Sequence, residues 1–265
     1  MPSDAATCRN LVKVYRTATG EVHALKGVDA TFLTGKVSAI VGPSGSGKST
    51  MLRILAGIDQ PTAGSVRVAD RELEHVSRFA RHGFRRKHVG YVFQRPVDNL
   101  VPHLDAITHV RDAATDEGPD PEGLLEQLGL AHRLDHRPDE LSGGEQQRLA
   151  FAQAVARAPT VVIADEPTAE LDRTAAHMLL ECVHALAGEG LAFVLATHDP
   201  QVVDAADHVL ELRHGAVLSE RSGADVYSVI DEAGRVQLPE EALDWFPDRR
   251  AVLHLEDGEI RMSPP

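Results

Sequence analysis

Residues Gly42–Thr50 read GPSGSGKST and follow an apolar run that is typical of a buried strand. They match the pattern G-x-x-x-x-G-K-[ST], in which the second glycine precedes Lys48 and Ser49. Glycines let the backbone curl until consecutive N–H groups converge, and the helix that follows adds the positive end of its dipole. The stretch therefore predicts a strand, a phosphate-binding loop and a helix, in that order, within an α/β fold.

The side chains of this loop fit a nucleoside triphosphate. Lys48 is expected to reach the β- and γ-phosphates, and Ser49 to ligate Mg²⁺. A glycine-rich turn without a ligand is the plain alternative, but a Lys-Ser pair has no role in such a turn. The predicted ligands are ATP and Mg²⁺, and the predicted binding residues are Gly42, Pro43, Ser44, Gly45, Ser46, Gly47, Lys48, Ser49 and Thr50.

Two adjacent carboxylates follow a second apolar strand, Thr160–Ala164. A carboxylate at the end of a buried strand beside a phosphate-binding loop is placed to hold Mg²⁺, and we assign this role to Asp165. Glu166 is placed to orient and deprotonate the attacking water in hydrolysis. A helix N-cap is the alternative for such a pair, but the upstream loop favours the catalytic interpretation.

A second anion-binding pattern lies at Ser142, Gly143 and Gly144, ahead of a helix predicted from about Gln146 to Ala158. Two glycines at a helix start expose N–H groups and the positive end of the dipole. The alternative is an ordinary N-cap followed by flexible glycines. One nucleotide does not need two γ-phosphate sites, so we expect these residues to serve a nucleotide held by a second subunit.

The predicted fold class is α/β, with a P-loop NTPase core. Short strands such as Leu11–Arg16 and Gly27–Leu33 indicate an N-terminal antiparallel β subdomain. β-type runs vanish from about 98 to 157, which predicts an inserted helical subdomain. The runs at 160–164 and 191–197 are continuously apolar, as in buried parallel strands. These elements form a predicted domain of residues 1–222.

Residues 223–265 are predicted to form a small α+β module. Val226–Ile230 and Arg235–Pro239 flank a turn and read as a hairpin, and a helix is expected from Pro239 to Trp245. Asp257-Gly258 predicts a second hairpin turn. We expect a dimerising or regulatory appendage, and the alternative is an irregular tail packed on the core.

Composition limits the function classes. The formal net charge is −13, which disfavours nucleic acid as a partner because polyphosphate backbones repel an acidic protein. The N-terminus carries no apolar signal region, and apolar runs fall short of the about 20 residues that span a bilayer. Cys8 and Cys182 have no metal-ligand spacing and read as reduced thiols. Any membrane-embedded part is therefore expected on another chain.

The joint order of motifs resembles the ATP-binding subunit of ABC transporters over about Leu11 to Leu218. The motifs are the loop at Gly42, Gln94 after a strand, LSGGEQQR at Leu141–Arg148, VVIADEP at Val161–Pro167, and Thr197-His198-Asp199.

This resemblance implies roles for further residues. Tyr15 matches the aromatic residue that stacks on adenine, and Gln94 matches the glutamine that senses Mg²⁺ and the attacking water and links to the membrane partner. His198 matches the histidine that contacts the γ-phosphate, and Leu171-Asp172 the loop that faces the other subunit. Two copies would sandwich two Mg-ATP head to tail and drive a separate permease. The subunit would be cytoplasmic and would bind, through the permease, to the inner face of the cell membrane.

Within the family, the segment His23–Val66 and the LSGGEQQR motif are similar to the subgroup that powers lipoprotein-releasing and macrolide-export permeases. Three segments depart from it: Thr108-His109-Val110, the polar stretch within Arg111–Leu125, and Ala169–Asp172. The first two lie where the family meets its permease.

Transport is not the only interpretation of these motifs. A mechanical-signalling ATPase of the cell-division type remains an alternative. The C-terminal segment also resembles half of a swapped-hairpin fold of small bacterial transition-state regulators. A DNA-binding regulator with a vestigial ATPase would predict a lost Glu166 or His198, and both are present.

Overall fold

The computed structural model describes residues 3–18, 20–74, 76–223, 225–229, 236, 238, 240–246, 248, 250–256 and 259–264. The strands are β1 Asp4–Thr17, β2 Gly20–Leu33, β3 Val37–Val41, β4 Ala63–Val68, β5 Arg71–Glu72, β6 Val89–Val92, β7 Val161–Asp165, β8 Ala192–Ala196, β9 His208–Arg213, β10 Ala216–Ser222, β11 Asp225–Ser228, β12 Val252–Glu256 and β13 Glu259–Ser263. The α-helices are α1 Lys48–Leu55, α2 Arg78–His88, α3 Ala106–Ala113, α4 Pro121–Gln127, α5 Gly143–Val155, α6 Arg173–Gly188, α7 Pro200–Ala205 and α8 Glu240–Leu243.

The central sheet has seven strands in the order β11-β10-β9-β3-β8-β7-β6, and its strands from β9 to β6 are parallel. Its middle strands are apolar on both faces because each face carries its own core. Phe193 and Leu195 join the core that contains α6, whereas Val194 and Ala196 join the core that contains α1. The prediction of buried parallel strands is confirmed.

A four-stranded antiparallel sheet, ordered β2-β1-β4-β5, packs above α1. It confirms the predicted N-terminal β subdomain. β1 and β2 pair over their whole lengths around Gly20, with register shifts that bend the ribbon. Tyr15, near the Gly20 end of the ribbon, contacts Thr50 in the first turn of α1.

The described chain between β6 and β7 contains helices and no strand, which confirms the inserted helical subdomain. α3, α4 and α5 pack on one another through Leu, Val and Phe side chains of a shared core. The helix α2 precedes this insertion and was not predicted, because its sequence RFARHGFRRKH offers few apolar residues to show a helical period. Ser77 caps its N-terminus.

The C-terminal segment is attached through the central sheet. β11 pairs antiparallel with β10 from Ser219↔Ser228 to Ser222↔Asp225, so the sheet continues past the predicted boundary at residue 222. β12 and β13 form a separate two-stranded sheet that ends at Glu256↔Glu259, around the predicted Asp257-Gly258 turn. That turn and most of the predicted hairpin arm 235–239 lie outside the described residues. The division at residue 222 stays a prediction.

Within the described residues, no helix combines the length and the apolar character that crossing a bilayer requires.

Candidate functional site

A cavity of about 660 Å³ opens where β3 and β7 end at the same edge of the central sheet, with the β1–β2 ribbon as one wall. Ligands of open α/β sheets bind at this carboxyl edge of the strands. The residues lining the cavity are Tyr15, Val22, His23, Ala24, Gly42, Pro43, Ser44, Gly45, Ser46, Gly47, Lys48, Ser49, Thr50, Gln94, Asp165, Glu166 and His198.

At two positions, the loop after β3 adopts backbone conformations that favour glycine. Gly42 has φ 141° and Gly47 has φ 110°. A Cβ atom at Gly42 would lie 2.1 Å from the Leu212 carbonyl oxygen, and one at Gly47 would lie 2.6 Å from the Ala24 carbonyl oxygen. A side chain at either position would therefore push the loop out of the space it shares with β2 and β9.

The donors of this loop converge on the cavity. Lys48 Nζ donates to the Gly42 carbonyl at 2.6 Å and to the Pro43 carbonyl at 3.3 Å, which holds the ammonium against the loop. Ser46 is 2% exposed, and its Oγ has no hydrogen-bond partner among the described residues. A buried hydroxyl without a partner is costly unless a ligand supplies one. A ligand with several oxygen acceptors fits this set of donors.

Ser49 and Asp165 bring hard oxygen atoms to the floor of the cavity. Asp165 ends β7 and is 8% exposed. Burial raises the pKa of the Asp165 carboxyl above its usual value, a hydrogen bond from Ser49 opposes the shift, and the neighbouring Glu166 adds to it. A hydroxyl beside a carboxylate fits Mg²⁺, which prefers oxygen ligands and completes its shell with phosphate and water oxygens. Among the described residues no group of three or more His, Cys, Asp or Glu forms a separate metal cage.

Glu166 and His198 contact each other at the edge of the cavity. His198 Nδ1 lies 2.9 Å from Glu166 Oε1, and the His198 backbone N–H donates to Glu166 Oε2 at 3.3 Å. The bond with Glu166 and its negative charge raise the pKa of His198. Glu166 itself is fixed by a bond from its N–H to the Ala196 carbonyl at 2.8 Å and has φ 52°. Such left-handed backbone is uncommon for residues other than glycine and often occurs at functional sites.

Tyr15 lies on β1 at the wall of the cavity. Its hydroxyl donates to Asp59 Oδ2 at 2.8 Å, and Lys13 Nζ lies 4.8 Å from its ring centroid. Burial and then the bond with Asp59 raise the pKa of Tyr15. The ring is thus held by two charged neighbours at a cavity wall, where a planar base can stack on it.

Val22, His23 and Ala24 also line the cavity and were missed in the sequence. Tyr15 pairs with Val22 across the β1–β2 ribbon. Because the two strands meet at Gly20, counting the register back from that residue would have placed these residues beside Tyr15.

Gln94 follows β6, is exposed and lines the cavity from the side of the helical insertion. The loop that carries it is anchored by Asn99, whose amide donates to the Tyr91 carbonyl at 2.7 Å and accepts from the Phe93 N–H at 2.9 Å. Gln94 therefore projects from a fixed loop between the two halves of the fold.

Ser142, Gly143 and Gly144 lie outside this cavity, at the start of α5. Ser142 is the N-cap and accepts from the Glu145 N–H at 3.3 Å. A Cβ atom at Gly144 would lie 3.0 Å from the Glu170 carbonyl oxygen. The two predicted anion-binding elements therefore lie apart from each other, and the prediction that the second serves another copy stays open.

Relatives of this chain occur among known protein families and curated proteins. The family model described as "ABC transporter" matches residues 25–169, more than half of the chain. The macrolide export ATP-binding/permease protein MacB 1 of Aeromonas hydrophila is 41% identical over 228 residues, which cover 81% of this chain and 35% of that protein. The chain thus spans about a third of the length of such relatives. The lipoprotein-releasing system ATP-binding protein LolD of Pseudoalteromonas translucida is 37% identical over 224 residues, covering 82% of this chain and 96% of that protein.

Solved structures agree with this assignment. The dimeric ATP-binding cassette MJ0796 in a post-hydrolysis state, bound to ADP and Pi, superposes with a TM-score of 0.74 at 31% identity, covering 82% of this chain and 98% of that one. A second dimeric structure of MJ0796 gives a TM-score of 0.73 at 32% identity. The fold, the phosphate-binding loop and these relatives lead to one conclusion: the chain belongs to the ABC transporter family, as an ATP-binding cassette.

Proposed function

We propose that this chain is the ATP-hydrolysing subunit of a transporter, which dimerises around two Mg-ATP and drives a separate membrane permease of the export or lipoprotein-extraction type. One observation carries the proposal: the loop Gly42–Thr50, Asp165, Glu166 and His198 share one cavity. The MacB and LolD relatives support the export and lipoprotein-releasing choice.

The chemistry proposed for the cavity divides among its residues. The N–H groups of the loop, the Lys48 ammonium and the Ser46 hydroxyl bind the phosphate oxygens. Ser49 and Asp165 would hold Mg²⁺, which would neutralise negative charge on the phosphates. Glu166 accepts the proton of the attacking water, and His198 contacts the γ-phosphate from the rim. Tyr15 provides the stacking face for adenine.

The position of the proposed second anion-binding element supports a dimer. Ser142 and Gly143 are exposed, begin a helix of 13 residues and lie outside the cavity. A head-to-tail arrangement would bring them over the γ-phosphate held by the other copy. The MJ0796 cassettes share this fold and are dimeric in their solved structures, which supports a dimer of this chain.

A groove beside Gln94 suits the permease. It has a volume of about 520 Å³, an apolar floor that includes Tyr91 and Phe93, and a rim of Arg85, Arg86 and Arg157. Among the residues that the structure describes, no carboxylate lines it, although the chain carries a net charge of −13. We infer that the permease inserts a segment here, which would locate the cassette at the inner membrane face.

Turnover of ATP should depend on both Mg²⁺ and the protein concentration. Because the proposed competent unit contains two copies, the rate per chain should rise as the chain is concentrated and then level off. Chelation of divalent cations should abolish it. A steady-state phosphate-release assay over a dilution series measures both effects, and a rate per chain independent of concentration would contradict the dimer.

We further propose that the C-terminal segment strengthens dimer formation. The register of β12 and β13 places Leu253, Leu255, Ile260 and Met262 on one face, while His254 and Arg261 lie on the other. Leu253, Leu255 and Ile260 are 60%, 77% and 64% exposed. A two-stranded sheet is marginally stable alone, and a second copy of this apolar face would cover it. The resemblance of the C-terminal segment to a swapped-hairpin module is part of the same proposal.

Replacing Leu255 with Asp should weaken self-association of the nucleotide-free chain, because the charge would enter the apolar contact. Replacing His254 with Asp adds the same charge to the opposite face of the same strand and should have little effect. Sedimentation velocity of the full chain without ATP would separate the two. Equal association of both variants and the unmodified chain would refute this role for the hairpin.

A further inference from the structure

A buried carboxylate lies directly behind Ser142. Glu145 is 9% exposed, and its Oε2 accepts from the Ser142 N–H at 2.8 Å and from the Ser142 hydroxyl at 2.8 Å. Ser142 Oγ in turn accepts from the Glu145 N–H at 3.3 Å. This reciprocal capping box fixes both the backbone and the hydroxyl orientation of Ser142.

Arg133 holds the other oxygen of that carboxylate. Arg133 Nε donates to Glu145 Oε1 at 2.9 Å, and Arg133 Nη1 lies 3.1 Å from His136 Nε2. The turn that carries Arg133 is tied to α3, because the Ala106 N–H donates to the His136 carbonyl at 2.9 Å. A chain of contacts therefore runs from the start of α3 through Arg133 and Glu145 to Ser142.

This network keeps Glu145 ionised. Burial by itself would raise the pKa of Glu145, but the bonds from Ser142 and from Arg133 outweigh burial and lower the pKa to about 2. Replacing Arg133, whose side chain is 34% exposed, would leave the charge of the largely buried Glu145 carboxylate without its strong cationic partner. The orphaned charge would keep only His132 Nε2, 3.7 Å from Glu145 Oε1, on that side, so the carboxylate would hold the backbone at Ser142 less firmly.

We propose that Arg133 is a positioning residue: through Glu145 it fixes the backbone at Ser142, so that the N–H groups that begin α5 face the γ-phosphate of an ATP held by a second copy. This inference rests on the proposed head-to-tail dimer. Arg133 touches no nucleotide itself and acts only through Glu145.

Replacing Arg133 with Met keeps the length of the side chain and removes its charge. The kcat for ATP should fall on the order of tenfold with little change in KM, because the loss affects a contact completed only in the closed dimer. Replacing Arg111 with Met is the matched control, since it removes an exposed ion pair with Glu122 in the same subdomain. Thermal melts of both variants report whether the chain stays folded.

A second variant tests the route through Glu145. Combining Arg133→Met with Glu145→Gln removes the orphaned charge while the amide oxygen still accepts from Ser142. The double variant should therefore be faster than Arg133→Met alone, which is a coupling between the two sites. If the separate effects of Arg133→Met and Glu145→Gln on kcat simply add in the double variant, Arg133 does not act through Glu145 and the proposal fails.

Mixed dimers distinguish action on the partner's nucleotide from a defect confined to one chain. A Lys48→Ala chain has a disabled phosphate-binding loop but an intact Ser142 region. An Arg133→Met chain has an intact phosphate-binding loop but a disturbed Ser142 region. Mixed, they form one intact composite site, so the rate should exceed the sum of the separate rates several-fold. If Arg133 only supported the loop of its own chain, the mixture would show no such gain.

The same assay separates failure of this inference from failure of the proposed dimer. A mixture of Lys48→Ala with Ser142→Phe should also gain activity if the two copies share sites. Gain with Ser142→Phe but not with Arg133→Met would overturn the role of Arg133 alone. No gain in either mixture would overturn the shared site and, with it, both proposals.

Discussion

Replacing Glu166 with Gln should lower ATP turnover by about 10²- to 10³-fold, because an amide cannot accept the proton of the attacking water. Nucleotide binding should persist, since the loop Gly42–Thr50 and Asp165 are untouched. ATP should therefore trap a nucleotide-bound dimer that sedimentation or size-exclusion chromatography detects. The His198 N–H would still find an oxygen at position 166, so the local geometry should survive.

The control for this change is Glu181→Gln. Glu181 also pairs with a histidine, His177 at 3.4 Å, but on the exposed face of α6. The Glu181→Gln variant should hydrolyse ATP at the rate of the unmodified chain and form no trapped dimer. If Glu166→Gln instead hydrolysed ATP as fast as this control, Glu166 would not be the general base.

Replacing Ser142 with Phe should reduce hydrolysis by about 10²-fold, the loss expected when preorganised donors no longer reach the reacting phosphate. The affinity of the dilute, monomeric chain for ATP should not change, because Ser142 lies outside the cavity that holds the nucleotide. Titration with a fluorescent ATP analogue measures the affinity, and phosphate release measures turnover.

The matched control is Ser77→Phe, which places the same ring at the N-cap of α2. Loss of a serine N-cap costs about 1 kcal/mol of stability in either helix, so stability alone would affect both variants alike. Parallel losses of nucleotide affinity and hydrolysis in the Ser142 variant would mean that Ser142 belongs to the site of its own chain.

The fold was predictable wherever short-range patterns decide the structure. The apolar runs before Gly42 and Asp165 have no alternation, because helices cover both faces of the strands they form. The glycines of the loop are specified by backbone geometry that other residues cannot adopt. The structure gathers Lys48, Asp165, Glu166 and His198 in one cavity because parallel strands end at a common edge.

Features set by pairing between distant segments were not predictable in the same way. His23 was missed because it reaches the cavity through the register of β1 with β2, which has to be counted from the turn between the strands and cannot be read from its immediate neighbours. The contact between Arg133 and Glu145 depends on how the turn before α5 packs against α3. The helix α2 escaped notice because charge, rather than apolar spacing, dominates its sequence.

The pairing of β11 with β10 has a consequence for anyone who shortens this protein. A chain cut at residue 222 would lose β11 and leave β10 as an exposed edge strand. The main-chain N–H and C=O groups of β10 could then pair with other molecules. Such a fragment would be prone to aggregate for reasons unrelated to the missing module. A cut beyond Ser228 keeps this protective strand and removes only the residues after it.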